Sequence, residues 1–134
     1  MKVIAINGSP HKDGNTAHAL KQVGAELQKE GIEFEIIEVG GKSIRGCIAC
    51  GKCAEKRNEK CNFTDDIVNE TLVKMKEADG ILLGSPVYYS GIAGTMKCFL
   101  DRTFYVAGAN GGMFRHKIGA SVVAVRRTGG SMTF

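Results

Sequence analysis

Lys2-Val3-Ile4-Ala5-Ile6-Asn7-Gly8-Ser9-Pro10-His11-Lys12-Asp13-Gly14-Asn15-Thr16 is the stretch on which the reading of the chain turns. Its first part, Lys2 to Asn7, is almost uninterruptedly apolar, as a strand in a sheet covered on both faces requires. Gly8 to Gly14 is rich in turn formers, and Asn15-Thr16 opens a helical pattern that runs to about Glu30. Strand, small-residue loop and helix start, in that order, surround a point with backbone N–H groups. The helix N-terminus adds partial positive charge there, so the point suits a phosphate. The dinucleotide fingerprint G-x-G-x-x-G is absent, and Gly14 is not followed by the Lys-Ser/Thr of a nucleotide P-loop. With no Lys to reach a second phosphate, a monophosphate is expected, served by Ser9, Asn15 and Thr16. The plainer alternative is a βα turn in which Asn15 only caps the helix.

Working outward, Ala17, Leu20, Val23, Gly24 and Leu27 recur at helical spacing, and Gly31 ends the helix. Glu33 to Val39 alternates and reads as a second strand nearer a sheet edge. Residues 42–65 show no clear periodicity and are dense in Cys and Lys; so long a connection within a compact domain is usually functional. A helix is expected from Asp65 or Asp66 to Ala78, a third strand over 80–84, and a loop over 85–91. A helix carrying Met96, Phe99, Leu100 and Phe104 follows. The Gly-rich 107–113 stretch reads as mobile, and 118–125 as a fourth strand. Alternating strands and helices predict an α/β fold with a doubly wound parallel sheet. The loops 8–16, 85–91 and 126–130 each follow a strand. They therefore meet at the carboxyl edge, where open α/β sheets bind ligands.

At 134 residues the chain is read as one domain, residues 1–134. A formal net charge of +4, with Lys and Arg scattered, gives no nucleic-acid stripe. No apolar run approaches the roughly 20 residues of a membrane span, and the N-terminus carries no signal-peptide pattern, so a cytoplasmic, membrane-free protein is expected. Five Cys without an export signal argue against disulfides and for metal or redox use. No Ser-His-Asp or paired-carboxylate arrangement suggests a hydrolase.

Gly8-Ser9-Pro10, Gly14-Asn15-Thr16, Gly84-Ser85-Pro86-Val87-Tyr88-Tyr89 and Phe99-Leu100-Asp101-Arg102 together resemble the NADPH-dependent FMN reductase branch of the flavodoxin-like proteins. Cys47-x2-Cys50-x2-Cys53-x7-Cys61 narrows the resemblance to the iron–sulfur flavoprotein members. It implies a flavodoxin-like sheet of order 2-1-3-4-5, with FMN at the switch point, and a homodimer or homotetramer building the flavin site at an interface. The stretch homologous to the fifth strand is missing from these residues, so order 2-1-3-4 is expected, with the edge at strand four left open or covered by another chain. By position, Ser9, His11, Asn15 and Thr16 would hold the FMN phosphate. Pro86, Val87, Tyr88 and Tyr89 would border the ribityl chain and isoalloxazine, and Thr128, Gly129 and Gly130 would approach the ring.

Three Cys at x2 spacing followed by a fourth resemble the bacterial ferredoxin run more than two separated zinc pairs. Cys47, Cys50, Cys53 and Cys61 are thus the expected ligands of a [4Fe–4S] cluster, with Lys52, Lys56, Arg57 and Lys60 offsetting its charge. Zinc, or free thiols in a protein using flavin alone, are the alternatives. Cys98 lies in an apolar helical stretch and reads as a core or interface thiol. The expected activity is FMN-dependent oxidoreduction or electron transfer. The donor would be NAD(P)H or a ferredoxin-like protein, and the acceptor a small molecule or protein. A flavin reductase without a cluster, or a binding module without turnover, is the alternative. Met96, Phe99 and Phe104, beside Tyr88 and Tyr89, exceed what one sheet face needs to cover and predict a homo-oligomer.

Overall fold

Alternation along the first strand divides its side chains between two layers: Ile4 and Ile6 face one, Ala5 the other. The computed structural model describes residues 1–134. Its elements are β1 (Lys2–Asn7), α1 (Asn15–Lys29), β2 (Glu33–Glu38), α2 (Lys52–Lys56), α3 (Val68–Glu77), β3 (Gly80–Tyr88), β4 (Gly91–Ile92), α4 (Gly94–Ala109), β5 (Ile118–Ala124) and α5 (Gly130–Thr133). β2, β1, β3 and β5 pair in parallel in that order, and β4 turns back antiparallel on β3. The strand read as fourth is β5, so the expected order 2-1-3-4 is the observed β2-β1-β3-β5.

The two layers are unequal. Ile4, Ile6 and Ile81 pack with Leu72 and Met75 of α3 and with Met96, Phe99 and Val106 of α4 in a cluster of 14 buried residues. The α1 face holds only Ala5, Leu20 and Leu82 fully buried. At roughly 1.5–3 kcal/mol per large apolar side chain removed from water, the α3/α4 layer carries most of the burial energy. Along α1 the buried residues are Thr16, Ala17, Leu20 and Gly24, while Val23 falls on the flank and is exposed.

Several boundaries differ from the sequence reading, for identifiable reasons. Ser85 to Tyr88 continue β3 and are not loop, even though they contain Pro86. β1 stops pairing with β3 at Asn7↔Gly84, so beyond that point one side of β3 is an edge, where a residue without an N–H is tolerated. The other side stays paired with β5 as far as Pro86↔Ala124, and β4 fills part of the free edge. The 42–65 connection contains α2, and Gly130 begins α5. α4 extends through Ala109 into the stretch read as mobile. Met96 and Phe99 are 1% and 0% exposed within the monomer, so they need no partner subunit to cover them. β5 has only β3 beside it, and its first residue, Ile118, is 71% exposed. No helix is long and apolar enough to cross a membrane.

Candidate functional site at the carboxyl edge

β1 delivers Asn7, 0% exposed, to the base of the first loop. Asn7 Nδ2–H donates to Glu38 Oε2 (2.8 Å), and its Oδ1 accepts from the Ser9 backbone N–H (3.1 Å). Ser9 Oγ in turn accepts from the His11 N–H (3.2 Å), and the Gly14 N–H donates to the His11 carbonyl (3.1 Å). These side-chain turns fix the loop locally. Ser9 and Thr16 are buried against it, while Asn15 and His11 stand exposed on the rim. Asn15 is not the helix cap. Gly14 is, and it contributes no side-chain acceptor. The Asn15, Thr16 and Ala17 N–H groups precede the first helical hydrogen bond, which His18 N–H makes to the Gly14 carbonyl, and they take no backbone acceptor. With no acidic residue in the first turn, the positive end of α1 is unopposed. The nearby Asp13 pairs with Lys21 (2.9 Å), whose hydrogen bond holds its carboxyl below the usual range.

The loop is seated by close backbone contacts. The Gly8 N–H donates to the Gly84 carbonyl (2.8 Å), and a Cβ on Gly8 would lie 2.7 Å from Met96 Cβ. A Cβ on Gly40, just past β2, would lie 2.3 Å from the Gly8 carbonyl oxygen. The start of the cysteine-rich connection is therefore packed directly against the phosphate-type loop.

The second and third loops come together on the neighbouring strand ends. Tyr89 and Ser90 have φ of 48° and 62° and form the two-residue tip of the β3–β4 hairpin. Positive φ at both central positions is the type I′ pattern, unusual without Asn or Gly. Tyr89 is fully exposed and Tyr88 is 46% exposed. Gly129, at φ 89°, packs so tightly that a Cβ there would stand 2.9 Å from Ser90 Cα. Val87, Tyr89, Ser90, Arg126, Arg127 and Thr128 line one open cleft. Pro86 to Tyr89 and Thr128 to Gly130 thus form one group, and Ser9, His11, Asn15 and Thr16 another, on the ends of the adjacent strands β3 and β1.

Cys47, Cys50, Cys53 and Cys61 line a single cavity walled by Ile48, Phe63, Tyr105, Val106 and Arg102. Left-handed Ala49 (φ 53°) and Gly51 (φ 72°) wind the chain between the first three. Two N–H groups already address sulfur: Ala49 N–H donates to Cys47 Sγ (3.4 Å) and Arg102 Nε–H to Cys61 Sγ (3.3 Å). Burial pushes the Cys53 thiol up; its own and the Ala54 N–H oppose this, and the nearby Cys61 and Cys50 thiols add to it. The fifth thiol, Cys98, is outside the cavity lining and lies near Gly46.

Side chains that the sequence reading passed over hold this loop. Asn69 of α3 accepts from the Cys61 N–H (2.8 Å) and donates to the Cys61 and Phe63 carbonyls (3.0 and 2.9 Å). Asn110, at the end of α4, accepts from the Glu59 N–H (2.9 Å) and donates to the Cys53 carbonyl (3.4 Å). Arg102 forms an ion pair with Asp66 across the same region. Arg102 was legible only as part of a family-like string, and the two Asn carried no signal. Of the basic residues expected to offset a cluster, Lys52 pairs with Glu55 and Lys56 binds Asn62, all exposed.

No three Cys, His, Asp or Glu side chains stand close enough to hold one metal ion. Tetrahedral zinc, with Zn–S near 2.3 Å, would bring thiolates to about 3.8 Å of one another. A cubane places several irons between its ligands and asks for wider spacing around a shared space. Four thiols line one cavity with N–H groups directed at sulfur, which is the donor number and chemistry that a four-thiolate cluster takes. For FMN, the acceptor-free N–H groups of α1 and the buried Ser9 and Thr16 likewise suit a phosphate.

A family profile described as NADPH-dependent FMN reductase matches residues 1–133. An iron-sulfur flavoprotein of Methanocaldococcus jannaschii is 43% identical over 134 residues, 99% of this chain and 67% of that protein. One from Archaeoglobus fulgidus is 38% identical over 102 residues, 76% of this chain and 45% of that protein. Among solved structures, an NAD(P)H:quinone oxidoreductase from Methanothermobacter marburgensis superposes with a TM-score of 0.72 at 17% identity, over 96% of this chain and 65% of that one. This likeness speaks for the flavodoxin-like fold alone. The chain spans about half to two thirds of the length of the relatives it matches. Matched over nearly all its residues and built on the sheet that such proteins share, the chain belongs to the NADPH-dependent FMN reductase family of FMN-binding oxidoreductases.

Proposed function

We propose that this chain is the FMN- and cluster-binding part of an electron-transferring oxidoreductase. FMN, when bound, supplies the redox chemistry, and the protein supplies binding, orientation and electrostatics. Ser9, His11, Asn15 and Thr16 hold its phosphate at the start of α1. Pro86, Val87, Tyr88 and Tyr89, with Thr128, Gly129 and Gly130, border the ribityl chain and ring. Arg126 and Arg127 add positive charge to that rim. Cys47, Cys50, Cys53 and Cys61 ligate a [4Fe–4S] cluster.

The observation that carries this reading is the shared cavity of the four cysteines, on a connection whose start at Gly40 is packed against the phosphate-type loop. The electron donor is a nicotinamide, NADH or NADPH, or a ferredoxin-like protein; the acceptor is a small molecule or a second protein. The assembly is a homodimer or homotetramer. Exposed Tyr88, Tyr89, Phe104, Tyr105 and Ile118 support it, now without Met96 and Phe99. The second reading is an NAD(P)H-dependent FMN or quinone reductase without a cluster, favoured by a family match whose description names FMN reduction alone.

The purified chain, titrated with FMN and then mixed anaerobically with NADH or NADPH, tests the flavin half. Quenching of flavin fluorescence on binding, followed by bleaching with a nicotinamide, supports a nicotinamide-linked reductase. Binding without bleaching leaves a protein donor as the proposal. No FMN binding contradicts the reading.

A further inference from the structure

α4 contributes one charged side chain to the wall of the cysteine cavity, and it is fully buried: Arg102 has 0% of its side chain exposed and its partner Asp66 has 5%. All five guanidinium N–H donors find acceptors. Nη1 serves Asp66 and the Arg45 carbonyl (3.4 Å). Nη2 serves the second Asp66 oxygen (3.2 Å) and the Phe63 carbonyl (3.3 Å). Nε serves Cys61 Sγ (3.3 Å). The Asp66 carboxylate therefore grips the Nη1/Nη2 edge end-on, and the Nε edge is left for sulfur. Phe63, whose ring lies 5.3 Å from the guanidinium carbon, also carries Arg45 at 4.5 Å. Cys61 thus meets the cation first and the anion beyond it. A buried ion pair is a poor stabiliser compared with a well-packed apolar pair, which leaves its retention beside four thiols to be explained by something other than stability.

We infer that Arg102 is the positioning and charge-compensating residue of the cysteine cavity: its Nε–H fixes the Cys61 sulfur, and its buried positive charge eases reduction of a cluster held there. The inference rests on the cluster reading proposed above. Net charge, hydrogen bonds to sulfur and solvent exposure set the potentials of such clusters, and Arg102 supplies the first two from a buried position. The surface lysines of the loop are exposed and screened by solvent. Asp66 orients the guanidinium by its fork and moderates the cation from the far side.

The test uses the whole chain, reconstituted anaerobically with iron and sulfide, as wild type, Asp66→Asn, Arg102→Lys and the double variant Arg102→Gln/Asp66→Asn. The double variant removes both charges, so no unpaired buried ion is left to unfold it. Iron per chain and the cluster potential are read by redox titration. In the double variant the reduced-to-oxidised ratio at fixed poise falls about tenfold, equivalent to 59 mV for a one-electron couple. Asp66→Asn shifts in the opposite direction, because it leaves the cation in place. Arg102→Lys keeps the wild-type potential but loads less iron, having lost the fixed Nε–H. Potentials unchanged in both Asp66→Asn and the double variant overturn the inference while the cluster reading stands. A wild type that takes up no iron overturns both. Should only the double variant fail to load, the apo-proteins decide. Cys61 alkylated about tenfold more slowly, relative to Cys50, than in wild type supports the inference, because the cation that favours the attacking sulfur anion is gone, and an equal or faster ratio overturns it.

Discussion

Gly40→Ala drives a methyl group into backbone. The added Cβ would lie 2.3 Å from the Gly8 oxygen, 2.3 Å from Ser9 carbon and 2.4 Å from Gly8 carbon. None of these is the end of a flexible side chain, so relief requires the first loop or the end of β2 to move. Neither is free to do so. The Gly8 N–H is bonded to Gly84 across the sheet, and the Val39 and Gly40 N–H groups both donate to the Asn7 carbonyl. Overpacking of this kind costs about 1–3 kcal/mol, and rigid neighbours place this case at the upper end, about 3 kcal/mol. With a urea m-value of about 2 kcal/mol/M, the midpoint falls by about 1.5 M. Gly41→Ala is the control: its Cβ meets only the Pro10 oxygen at 3.6 Å, an ordinary contact, and its midpoint stays put. Because the displaced atoms carry Ser9, Gly40→Ala also weakens FMN binding in a fluorescence titration and Gly41→Ala does not. Equal urea midpoints for the two variants would refute the claim that the connection is wedged against the phosphate-type loop.

Thr16→Ala removes a buried hydroxyl at the start of α1 and weakens FMN binding by about 1–3 kcal/mol, the range for hydrogen bonds to charged groups; unchanged affinity moves the phosphate elsewhere. Ser90→Gly relieves a left-handed residue at the hairpin tip. It leaves stability unchanged or raises it by up to about 1 kcal/mol, whereas Gly129→Ala, pressed on Ser90 Cα, lowers it; thermal denaturation reads both. Glu35, on β2, accepts from Lys74 of α3 (2.6 Å), whose hydrogen bond holds the carboxyl below its usual range against partial burial, with Lys2 helping. A depressed native pKa gives stability that is complete above the unfolded value near 4.3 and is lost as pH falls through the lower native one. Glu35→Gln should therefore flatten the acid limb of a stability–pH curve, and identical limbs would count against the pairing.

Much of the frame was legible because local and global preferences agree. The apolar β1, the small-residue loop and the amphipathic α1 each announce themselves, and the cysteine spacing announces a shared site. The hairpin did not, since Tyr89-Ser90 lacks the Asn-Gly signal of a type I′ turn and Pro86 reads as a strand end unless the neighbouring strand is known to stop first. Arg102 was illegible for a different reason. A charged residue on an amphipathic helix reads as solvent-facing, and only its partner Asp66, 36 residues away in sequence, makes burial tolerable. Asn69 and Asn110 are ordinary polar helix residues until the cysteine loop folds over them. Met96 and Phe99 read as apolar surface in excess of one sheet face, yet the monomer buries both, because the thickness of the α3/α4 layer is a tertiary property.

The most direct measurement is iron bound per chain after anaerobic reconstitution of wild type, Cys50→Ala and Cys98→Ala. Cys50 lines the shared cavity and Cys98 does not. The expected result is about four irons per chain in wild type and Cys98→Ala, with a broad visible band and a large loss of both in Cys50→Ala. Tightly bound zinc in place of iron, or iron retained equally in Cys50→Ala, would contradict a four-cysteine cluster site.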